Sequence, residues 1–591
     1  YNVPPHPANY LQRAGRAGRR SEATAIAYTL CKSEPHNQRV FKNPLWPFTT
    51  PISAPKVSLS SEPIVQRHVQ SLMLSAFLKT FEHRGRDNTK LNAQWFFHPK
   101  NEIWKQYCQW CHQQNKPNTE LQYSVQRLIH GTALASHTFS SILQANQDTL
   151  TRLTDKWQSE YININEKIQQ ASTENTRYER ALKREKKLHE SENLLGHLAV
   201  NTYLPGYGFP TNVVQLSIAK NTDDKLKDST EREDNLYIRK EAPSRGLDLA
   251  LREYAPGAAI VLDGQVYRSA GINLKTKSSG DGKNEIQKIE TAWRCQNCGT
   301  SGIARYAYSS SNDLECTHCS TKIANGYKQA TLIPAGFITD FFEPVSNDIS
   351  LQKFIKTKNP VIQLNGKKSS LPQVSCGEIH YGNHGKVFYQ SAGSHGLGYA
   401  ICIKCGRAES MTQPDTIPKD SLSQLHLDNH RPLSGGLSLG SKNKECSRAN
   451  VMSNVYLGHH IQTDVLEIAL KNPQTNIWLN KSSSSDQTAK IIARTLAVAL
   501  RDEIAANLGI EATEMGYAVR EDKDLDTHEI RTLIQIYDKA NGGAGFALSA
   551  IPHITDTLHK AAQRLHCPAN CKQSCQFCLS SQDSQVERDH I

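Results

Sequence analysis

The stretch Asn9-Tyr10-Leu11-Gln12-Arg13-Ala14-Gly15-Arg16-Ala17-Gly18-Arg19-Arg20 decides how the rest of this sequence is interpreted. It places four arginines within eight residues, with two glycines between them. Arginine offers a planar fork of donors that matches phosphate oxygens. The stretch therefore predicts a loop and helix start that bring guanidinium groups against a polyphosphate, and the alternative is a solvated Arg/Gly-rich loop.

An apolar run, Ala23 to Leu30, follows and predicts a buried strand of an α/β sheet. Gln12 to Arg19 resembles motif VI of superfamily 2 helicases, and the run after it resembles the strand that closes the second RecA-like lobe. The resemblance implies that Arg16 and Arg19 are catalytic, as γ-phosphate and finger arginines facing ATP, and that Gln12 couples nucleotide to nucleic acid. A guanidinium suits that role because it stabilises the charge that develops on the transferred phosphoryl group.

The other half of an ATP site is not found in the sequence. Neither a G-x-x-x-x-G-K-[ST] phosphate loop nor an acidic metal-binding motif on a strand occurs in the 591 residues. We therefore expect the C-terminal part of a longer helicase, in which ATP and Mg²⁺ bind only to the full-length protein. The fragment alone is expected to be inactive as an ATPase.

Composition narrows the class of protein. The chain has 69 basic and 57 acidic residues, a formal charge of +12, which fits a polyanionic partner but is also common in ordinary soluble proteins. No apolar run is long enough to span a membrane, so no membrane partner is expected. The 15 cysteines, in a large chain with no leader to read, indicate reduced metal ligands and a cytoplasmic protein.

The predicted fold class is multidomain α+β: the end of a RecA-like α/β lobe, helical and β-rich middle domains, a zinc ribbon and a C-terminal α/β zinc-binding domain. Helical periodicity covers 62–150, and a long amphipathic stripe covers 151–190. The expected segments are the lobe end (1–35), a connector and helical domain (36–150), the long helix (151–200), a β-rich domain with mobile insertions (201–290), the ribbon (291–325), a β-rich segment with a second cysteine cluster (326–450) and the zinc-binding domain (451–591).

Several individual elements are predicted as well. The Pro- and Ser-rich residues 36–60 indicate an extended connector, and 258–267 predict two strands joined at Asp263-Gly264. Further predictions are a helix over 488–508 ending at Gly509, a strand over 530–537 and a helix over 547–565. The apolar face expected for the first of these helices consists of Ile492, Leu496, Ala499, Leu500 and Ile504.

Four cysteines in two C-x-x-C pairs predict a zinc ribbon: Cys295, Cys298, Cys316 and Cys319. Two such knuckles can place four thiolates tetrahedrally around one ion, and Zn²⁺ is the usual occupant because it accepts sulfur and has no redox chemistry. Four protein ligands leave no position for a catalytic water. The zinc is therefore expected to be structural.

A second cysteine set is less regular, with Cys376, the pair Cys402 and Cys405, and Cys446. A four-thiolate site assembled from separate segments is one interpretation, and buried free thiols are the other. His426 and His430 lie between the pair and Cys446, and either could replace one cysteine.

The last set, Cys567, Cys571, Cys575 and Cys578, places four thiols within twelve residues and predicts a third, compact zinc knuckle. The isolated pair Cys108 and Cys111 has no second pair nearby, and buried thiols are favoured there over a metal site.

The end of the chain carries a second resemblance. Leu457 to His460, Thr463 to Ile468, the glycine loop Gly542 to Phe546 and the final four cysteines resemble the MrfA-type zinc-binding domain of certain superfamily 2 DNA helicases. Tyr207 to Pro210 and Arg252 to Gly257 extend the similarity, which is greatest to helicases of bacterial antiphage systems of the Druantia or DISARM kind. The glycine loop itself suits either an anion or a tight packing turn, with the turn favoured.

Together these features predict the C-terminal half of an ATP-dependent DNA helicase or translocase. The expected partners are DNA, held by salt-dependent phosphate contacts, the N-terminal motor region and other defence-system proteins. The alternative is a non-motor zinc-binding scaffold that binds nucleic acid or partner proteins.

Overall fold

The fold was determined as a computed structural model. It describes the whole chain except residues 1–2, 5–6, 18–25, 34, 51, 53–60, 82–90, 102, 117–118, 172–182, 184–185, 188, 207–211, 219–242, 274–287, 305–313, 318, 341–344, 365, 372–375, 404, 414–426, 428, 431–432, 434–445, 448–450, 481–487, 524–528, 568–569, 572–577 and 580–591. None of the described helices is both long enough and apolar enough to cross a membrane.

Helices dominate the first third of the described chain and recur near its end. In order they are α1 (Pro7–Ala14), α2 (Pro35–Lys42), α3 (Trp46–Thr49), α4 (Glu62–Lys79), α5 (Ala93–Phe97), α6 (Ile103–Gln114), α7 (Glu120–Ile129), α8 (Phe139–Ala171), α9 (Leu194–Val200), α10 (Leu247–Glu253), α11 (Thr488–Leu508), α12 (Phe546–Ser549) and α13 (Ile554–Arg564).

Strands occupy the middle and the C-terminal part. They are β1 (Val213–Ser217), β2 (Ser244–Gly246), β3 (Ala259–Leu262), β4 (Gln265–Ile272), β5 (Lys288–Arg294), β6 (Ser301–Ala304), β7 (Lys328–Ile333), β8 (Phe337–Thr339), β9 (Thr357–Gln363), β10 (Lys367–Ser370), β11 (Gly377–Ser391), β12 (Tyr399–Cys402), β13 (Ala408–Ser410), β14 (Asn429–His430), β15 (Cys446–Ser447), β16 (Val451–Leu470), β17 (Met515–Lys523) and β18 (Ile530–Asp538).

The chain divides into two compact units. The first contains Tyr1–Ile64, Leu364–Gly385 and Thr463–Ile591, and the second contains Val65–Gln363 and Lys386–Gln462. Mixed α/β structure with several sheets agrees with the coarse fold class predicted from the sequence.

The helical part of the second unit confirms the periodicity seen over 62–150. Val69, Met73 and Phe77 of α4 are buried, and they pack in one core with side chains from α5 to α9. The long amphipathic helix is also present, but α8 begins at Phe139, before the expected start. Trp157 and Ile164 are buried on its apolar side, as the stripe predicts.

A five-stranded sheet follows in the second unit, with strand order β2-β1-β8-β4-β3. Strand β1 pairs in parallel with β8, and the other neighbours are antiparallel. The predicted hairpin is confirmed, because β3 and β4 are joined by Asp263 and Gly264 with φ of 50° and 75°. Positive φ at both positions is what a tight two-residue turn requires, and Asp-Gly tolerates it.

The remaining strands of the second unit include β5 and β12, which lead into Cys295 and Cys402. Strands β6, β5 and β7 are antiparallel neighbours, and β7 pairs in parallel with the first half of β16 at Tyr456 and Leu457. That half of β16 also pairs with β12, which pairs in turn with β13. Strand β9 pairs with the second half of β11.

In the first unit, the second half of β16 pairs with β18, and β18 pairs with β17 along nine residues. Helix α11 packs against this sheet and has the predicted bounds, with Gly509 following at φ 67°. One residue of its predicted apolar face is wrong: Ile492 is 43% exposed. The smaller Ala493 and Ala497 lie toward the core instead, which lets the helix approach the sheet closely.

Three further expectations need correction. The helix expected over 547–565 is interrupted: α12 ends at Ser549, a 3₁₀ turn covers Ile551–His553, and α13 follows. Pro552 explains the interruption, because it has no N–H to continue an α-helical ladder.

The connector expected to be extended over 36–60 is helical over most of its described part. Helix α2 starts at Pro35, and α3 carries a proline in its first turn, where the missing N–H is harmless. Trp46 packs with Val3 and Val40 in a small core of the first unit. The strand expected over 23–30 is also wrong in its described part, because residues 26–29 are not in a strand. Ile26, the first of these, is 73% exposed, so the described part of the apolar run is not buried as a strand of a sheet would be.

Candidate metal centres

The four predicted ribbon cysteines lie together. The Sγ atoms of Cys295, Cys298, Cys316 and Cys319 are all within 4.8 Å of one another. Two of these separations, Cys295 to Cys319 and Cys298 to Cys316, are 3.5 Å. Thiolates around tetrahedral Zn²⁺ lie about 3.8 Å apart for Zn–S bonds of about 2.3 Å. These two separations are within a few tenths of an ångström of the value that zinc requires, so the donor set fits zinc.

Both ribbon knuckles have the same backbone geometry. In the first, the N–H of Cys295 donates to Thr300 O (2.7 Å) and the N–H of Gly299 donates to Cys295 O (3.1 Å). In the second, Cys316 and Ser320 make the same two bonds at 2.9 Å each. The residue after each pair has positive φ, 76° at Gly299 and 53° at Ser320. This turn aims both thiols of each pair at one point.

Hydroxyl groups support the ribbon sulfurs. Thr300 Oγ1 lies 3.2 Å from Cys298 Sγ, and Thr321 Oγ1 lies 3.1 Å from Cys319 Sγ. Burial raises the pKa of the Cys319 thiol, but hydrogen bonds from the Thr321 side chain and backbone outweigh it, so the pKa falls to about 6. The thiolate form, which binds metal, is thereby favoured.

The second group has a composition that the sequence left open. Cys402, Cys405, His430 and Cys446 have ligand atoms within 4.8 Å of one another. Cys402, His430 and Cys446 are fully buried, and Cys405 is half-buried. His430 thus takes the place expected for Cys376, and His426 lies outside the described residues.

Cys376, which was predicted from the sequence to be a ligand of this group, does not belong to it, because its surroundings are different. It directly precedes β11 in the first unit, where its carbonyl accepts a hydrogen bond from the Lys471 N–H at 2.9 Å. Its half-buried side chain packs against the apolar core of that unit. The three other cysteines of the set belong to the second unit.

The third group contains Cys567, Cys571 and Cys578, again with all sulfurs within 4.8 Å. The Sγ atoms of Cys571 and Cys578 are 3.7 Å apart, close to the separation that zinc imposes. Asn570 turns the chain between the first two with φ of 46°. Cys575, the predicted fourth ligand, lies outside the described residues.

The isolated pair Cys108 and Cys111 lies on α6 and is buried in the helical core. Burial raises the pKa of Cys108 to about 11 and, with the neighbouring Cys108 sulfur, that of Cys111 to about 12. Neither belongs to a group of three or more potential ligands in the described part of the chain. The structure therefore favours the interpretation as buried thiols.

The glycine loop after β18 binds the protein's own carboxylates. Asp538 accepts hydrogen bonds from the N–H groups of Ala544, Phe546 and Ala547 at 2.8 to 3.0 Å. Asp464 of β16 accepts one from Gly545 at 2.8 Å. Because these donors face buried anions already present, the loop is a packing turn and its described N–H groups are not aimed at a phosphate.

The roles of these two aspartates were not predicted from the sequence. A sequence signal did exist, because Asp464 is followed by the largely apolar run Val465 to Leu470, where a buried carboxylate needs hydrogen-bond donors. The sequence does not show the hydrogen-bond partner of Asp464, the N–H of Gly545, which lies 81 positions further along the chain.

The arginine-rich segment is described only in part. Helix α1 ends at Ala14, and the N–H groups of Gly15 and Arg16 donate to Leu11 O and Arg13 O in its last turns. Gln12 and Arg16 are exposed, whereas Arg19 lies outside the described residues. The roles predicted for Gln12, Arg16 and Arg19 are not tested by this geometry.

Known proteins resemble the chain in two respects. Residues 496–579 match the model of the family described as MrfA Zn-binding domain. The chain is also 24% identical to the Druantia protein DruE of Escherichia coli (strain UMEA 4076-1), over 98% of this chain and 31% of DruE. The chain therefore spans about a third of the length of that curated relative.

Solved structures give more distant similarities. The crystal structure of the DUF1998 helicase MrfA bound to DNA superposes with a TM-score of 0.27 and 10% identity, over 64% of this chain and 34% of that one. The complex of the same helicase with DNA and AMPPNP gives a TM-score of 0.20 and 8% identity, over 65% and 33%. The family match and the relative together confirm the resemblance drawn from the motifs: the chain is a relative of the Druantia protein DruE and carries an MrfA Zn-binding domain.

Proposed function

We propose that this chain is the C-terminal part of an ATP-dependent superfamily 2 DNA helicase or translocase. The observation that carries the proposal is the motif VI-like segment at the end of α1, where Gln12 and Arg16 are exposed and able to contact a second surface. Relationship to DruE along nearly the whole chain supports the same class of protein.

In this proposal the chain contributes half of an ATP site. Arg16 and Arg19 stabilise the charge on the transferred phosphoryl group, and Gln12 links nucleotide to nucleic acid. The phosphate loop and the Mg²⁺-binding carboxylate come from the motor region of the longer protein, because neither motif occurs in these 591 residues. ATP and Mg²⁺ are thus cofactors of the full-length protein.

The rest of the chain forms the domains attached to the motor. Zn²⁺ has a structural role in the ribbon of Cys295, Cys298, Cys316 and Cys319, since four thiolates leave no open coordination position. The C-terminal group of Cys567, Cys571 and Cys578, completed by Cys575, binds a second structural ion.

DNA is the proposed substrate, contacted mainly at its phosphates by the basic surface implied by the charge of +12. Action in bacterial antiphage defence is proposed from the resemblance to the Druantia group, with other proteins of the same defence system as partners.

ATP hydrolysis by the longer gene product tests the proposal. Turnover should be stimulated by single-stranded, duplex or forked DNA, and the preferred form separates unwinding from translocation. The 591-residue chain alone should hydrolyse no ATP above a heat-treated control. If the region upstream of Tyr1 encodes no phosphate loop and the longer product has no DNA-stimulated turnover, the motor assignment fails and a zinc-binding scaffold becomes the better description.

A further inference from the structure

We propose that the second group, Cys402, Cys405, His430 and Cys446, is also a metal site. Three thiolates and one imidazole hold a structural Zn²⁺ between two sheets of the second unit. The assignment is independent of the helicase function. It replaces the irregular four-cysteine set expected from the sequence by a Cys₃His site in which two ligands, His430 and Cys446, come from the β14–β15 pair.

The Cys402–Cys405 turn has the shape of a metal-binding knuckle. The N–H of Cys402 donates to Arg407 O and the N–H of Gly406 donates to Cys402 O, both at 2.8 Å. Gly406 has φ of 84°. These are the two bonds and the positive φ found in both ribbon knuckles, so the turn presents its thiols as a metal-binding knuckle does.

The imidazole of His430 is oriented by a backbone carbonyl. His430 Nδ1 lies 2.6 Å from the carbonyl oxygen of Leu427, and a carbonyl oxygen can only accept, so Nδ1 carries the proton. In the neutral ring Nε2 then has a free lone pair, and it lies 3.2 Å from Cys405 Sγ. A backbone carbonyl on the far nitrogen is the usual way in which a metal-binding histidine is oriented.

His430 and Cys446 are held on a short pair of strands. His430 of β14 lies directly opposite Cys446 of β15 in an antiparallel ladder of two residue pairs. A two-stranded pair of this length has little stability of its own in water. A metal ion bonded to both strands and to the Cys402–Cys405 knuckle supplies the missing stabilisation.

The Cys402–Cys405 knuckle lies between two sheets. On one side Gly406 O accepts a hydrogen bond from the Ile272 N–H of β4 at 2.9 Å, and Leu433 packs with Ala270 and Ile338 of the five-stranded sheet. On the other side the knuckle continues from β12, which pairs with β16. The ion therefore lies where the two sheets meet. Gly271 has no room for a side chain there, because a Cβ would collide with Gly406 O.

Zinc content of matched variants tests the site. His430→Ala should lower the zinc bound to the purified chain by one equivalent relative to wild type. His430→Cys should keep it, because a thiolate can replace the imidazole, and Cys376→Ser should also keep it. The comparison is between variants, so the occupancy of the other two groups does not affect it.

Cobalt spectroscopy decides the case in which His430→Ala fails to fold. In Co²⁺-substituted protein, the change from three sulfurs and one nitrogen to four sulfurs in His430→Cys should shift the ligand-field absorption, whereas Cys376→Ser should leave the spectrum unchanged. Unchanged zinc in folded His430→Ala, an unchanged cobalt spectrum in His430→Cys, or loss of one equivalent in Cys376→Ser would each overturn the proposal.

Discussion

Arg407 and Asp340 form a fully buried ion pair, with Nη2 and Oδ2 2.8 Å apart and the side chains 1% and 0% exposed. Arg407 directly follows the Cys402–Cys405 knuckle, and Asp340 directly follows β8. The pair thus fastens the knuckle to the five-stranded sheet. A buried charge that loses its partner is far more destabilising than a surface one.

We therefore expect Asp340→Asn to destabilise the second unit by about 3–5 kcal/mol, the cost typical of removing one member of a buried pair. Urea unfolding followed by tryptophan fluorescence measures the change. The matched control is Glu253→Gln, which removes the partner of the half-exposed Arg245 and should cost less than about 1 kcal/mol. Equal effects of the two substitutions would contradict the role given to the buried pair.

Gly543→Ala should destabilise the MrfA Zn-binding domain. Gly543 has φ of 75°, and a Cβ there would collide with the Asp464 carboxylate. Strain in the backbone and displacement of a buried anion act together, so we expect a loss of about 2 kcal/mol or more. Gly326→Ala is the control, because nothing lies within 4 Å of its Cβ position. Thermal unfolding followed by circular dichroism makes the comparison, and an unchanged transition in Gly543→Ala would argue against this account of the loop.

Glu467 should contribute to acid sensitivity. Burial raises the pKa of this carboxyl, but the Arg520 guanidinium and the His380 ring outweigh burial and hold the pKa at about 2, against an ordinary value of 4.5. Arg520 Nη2 lies 3.3 Å from Glu467 Oε1, and His380 Nδ1 lies 3.1 Å from Glu467 Oε2. A depressed folded pKa gives stability that is complete above the ordinary value and is lost as the pH falls from about 4.5 toward 2.

Glu467→Gln should therefore flatten the pH dependence of the urea midpoint between pH 4.5 and 3, besides lowering the midpoint at pH 7. The exposed Glu514→Gln provides the control, since it should leave the slope unchanged. A wild-type slope in Glu467→Gln would show that the network does not depress this pKa in the folded protein.

Arg19→Ala should lower ATP turnover of the longer protein by about 10³-fold or more if Arg19 acts as a finger arginine. Arg20→Ala, which alters the residue just outside the motif VI-like segment, is the neighbouring control and should retain most activity. Steady-state phosphate release at saturating DNA gives the comparison. Near-normal turnover in Arg19→Ala would remove the proposed role.

Local patterns in the sequence were sufficient for the helical stretch over 62–150, for the long helix α8 and for α11. The three- and four-residue steps of Val69, Met73 and Phe77 place them on one side of α4, and all three are buried. Helix α11 ends where Gly509 predicts it. Local patterns failed where apolar residues were taken to imply burial, as at Ile26 and Ile492, because burial depends on what packs against a side chain and a periodicity does not specify that.

By itself, the sequence indicated the two ribbon knuckles, the Cys402–Cys405 knuckle and the relationship to helicase-associated zinc proteins, because two cysteines three positions apart can face one ion from a single turn. Only the tertiary structure decided which fourth ligand faces the Cys402–Cys405 knuckle. His430 reaches it through pairing with Cys446, sixteen positions away, whereas Cys376 directly precedes a strand of the other unit. The spacing of residues along the chain does not show which ligands meet, because strand pairing between distant segments sets the position of each ligand.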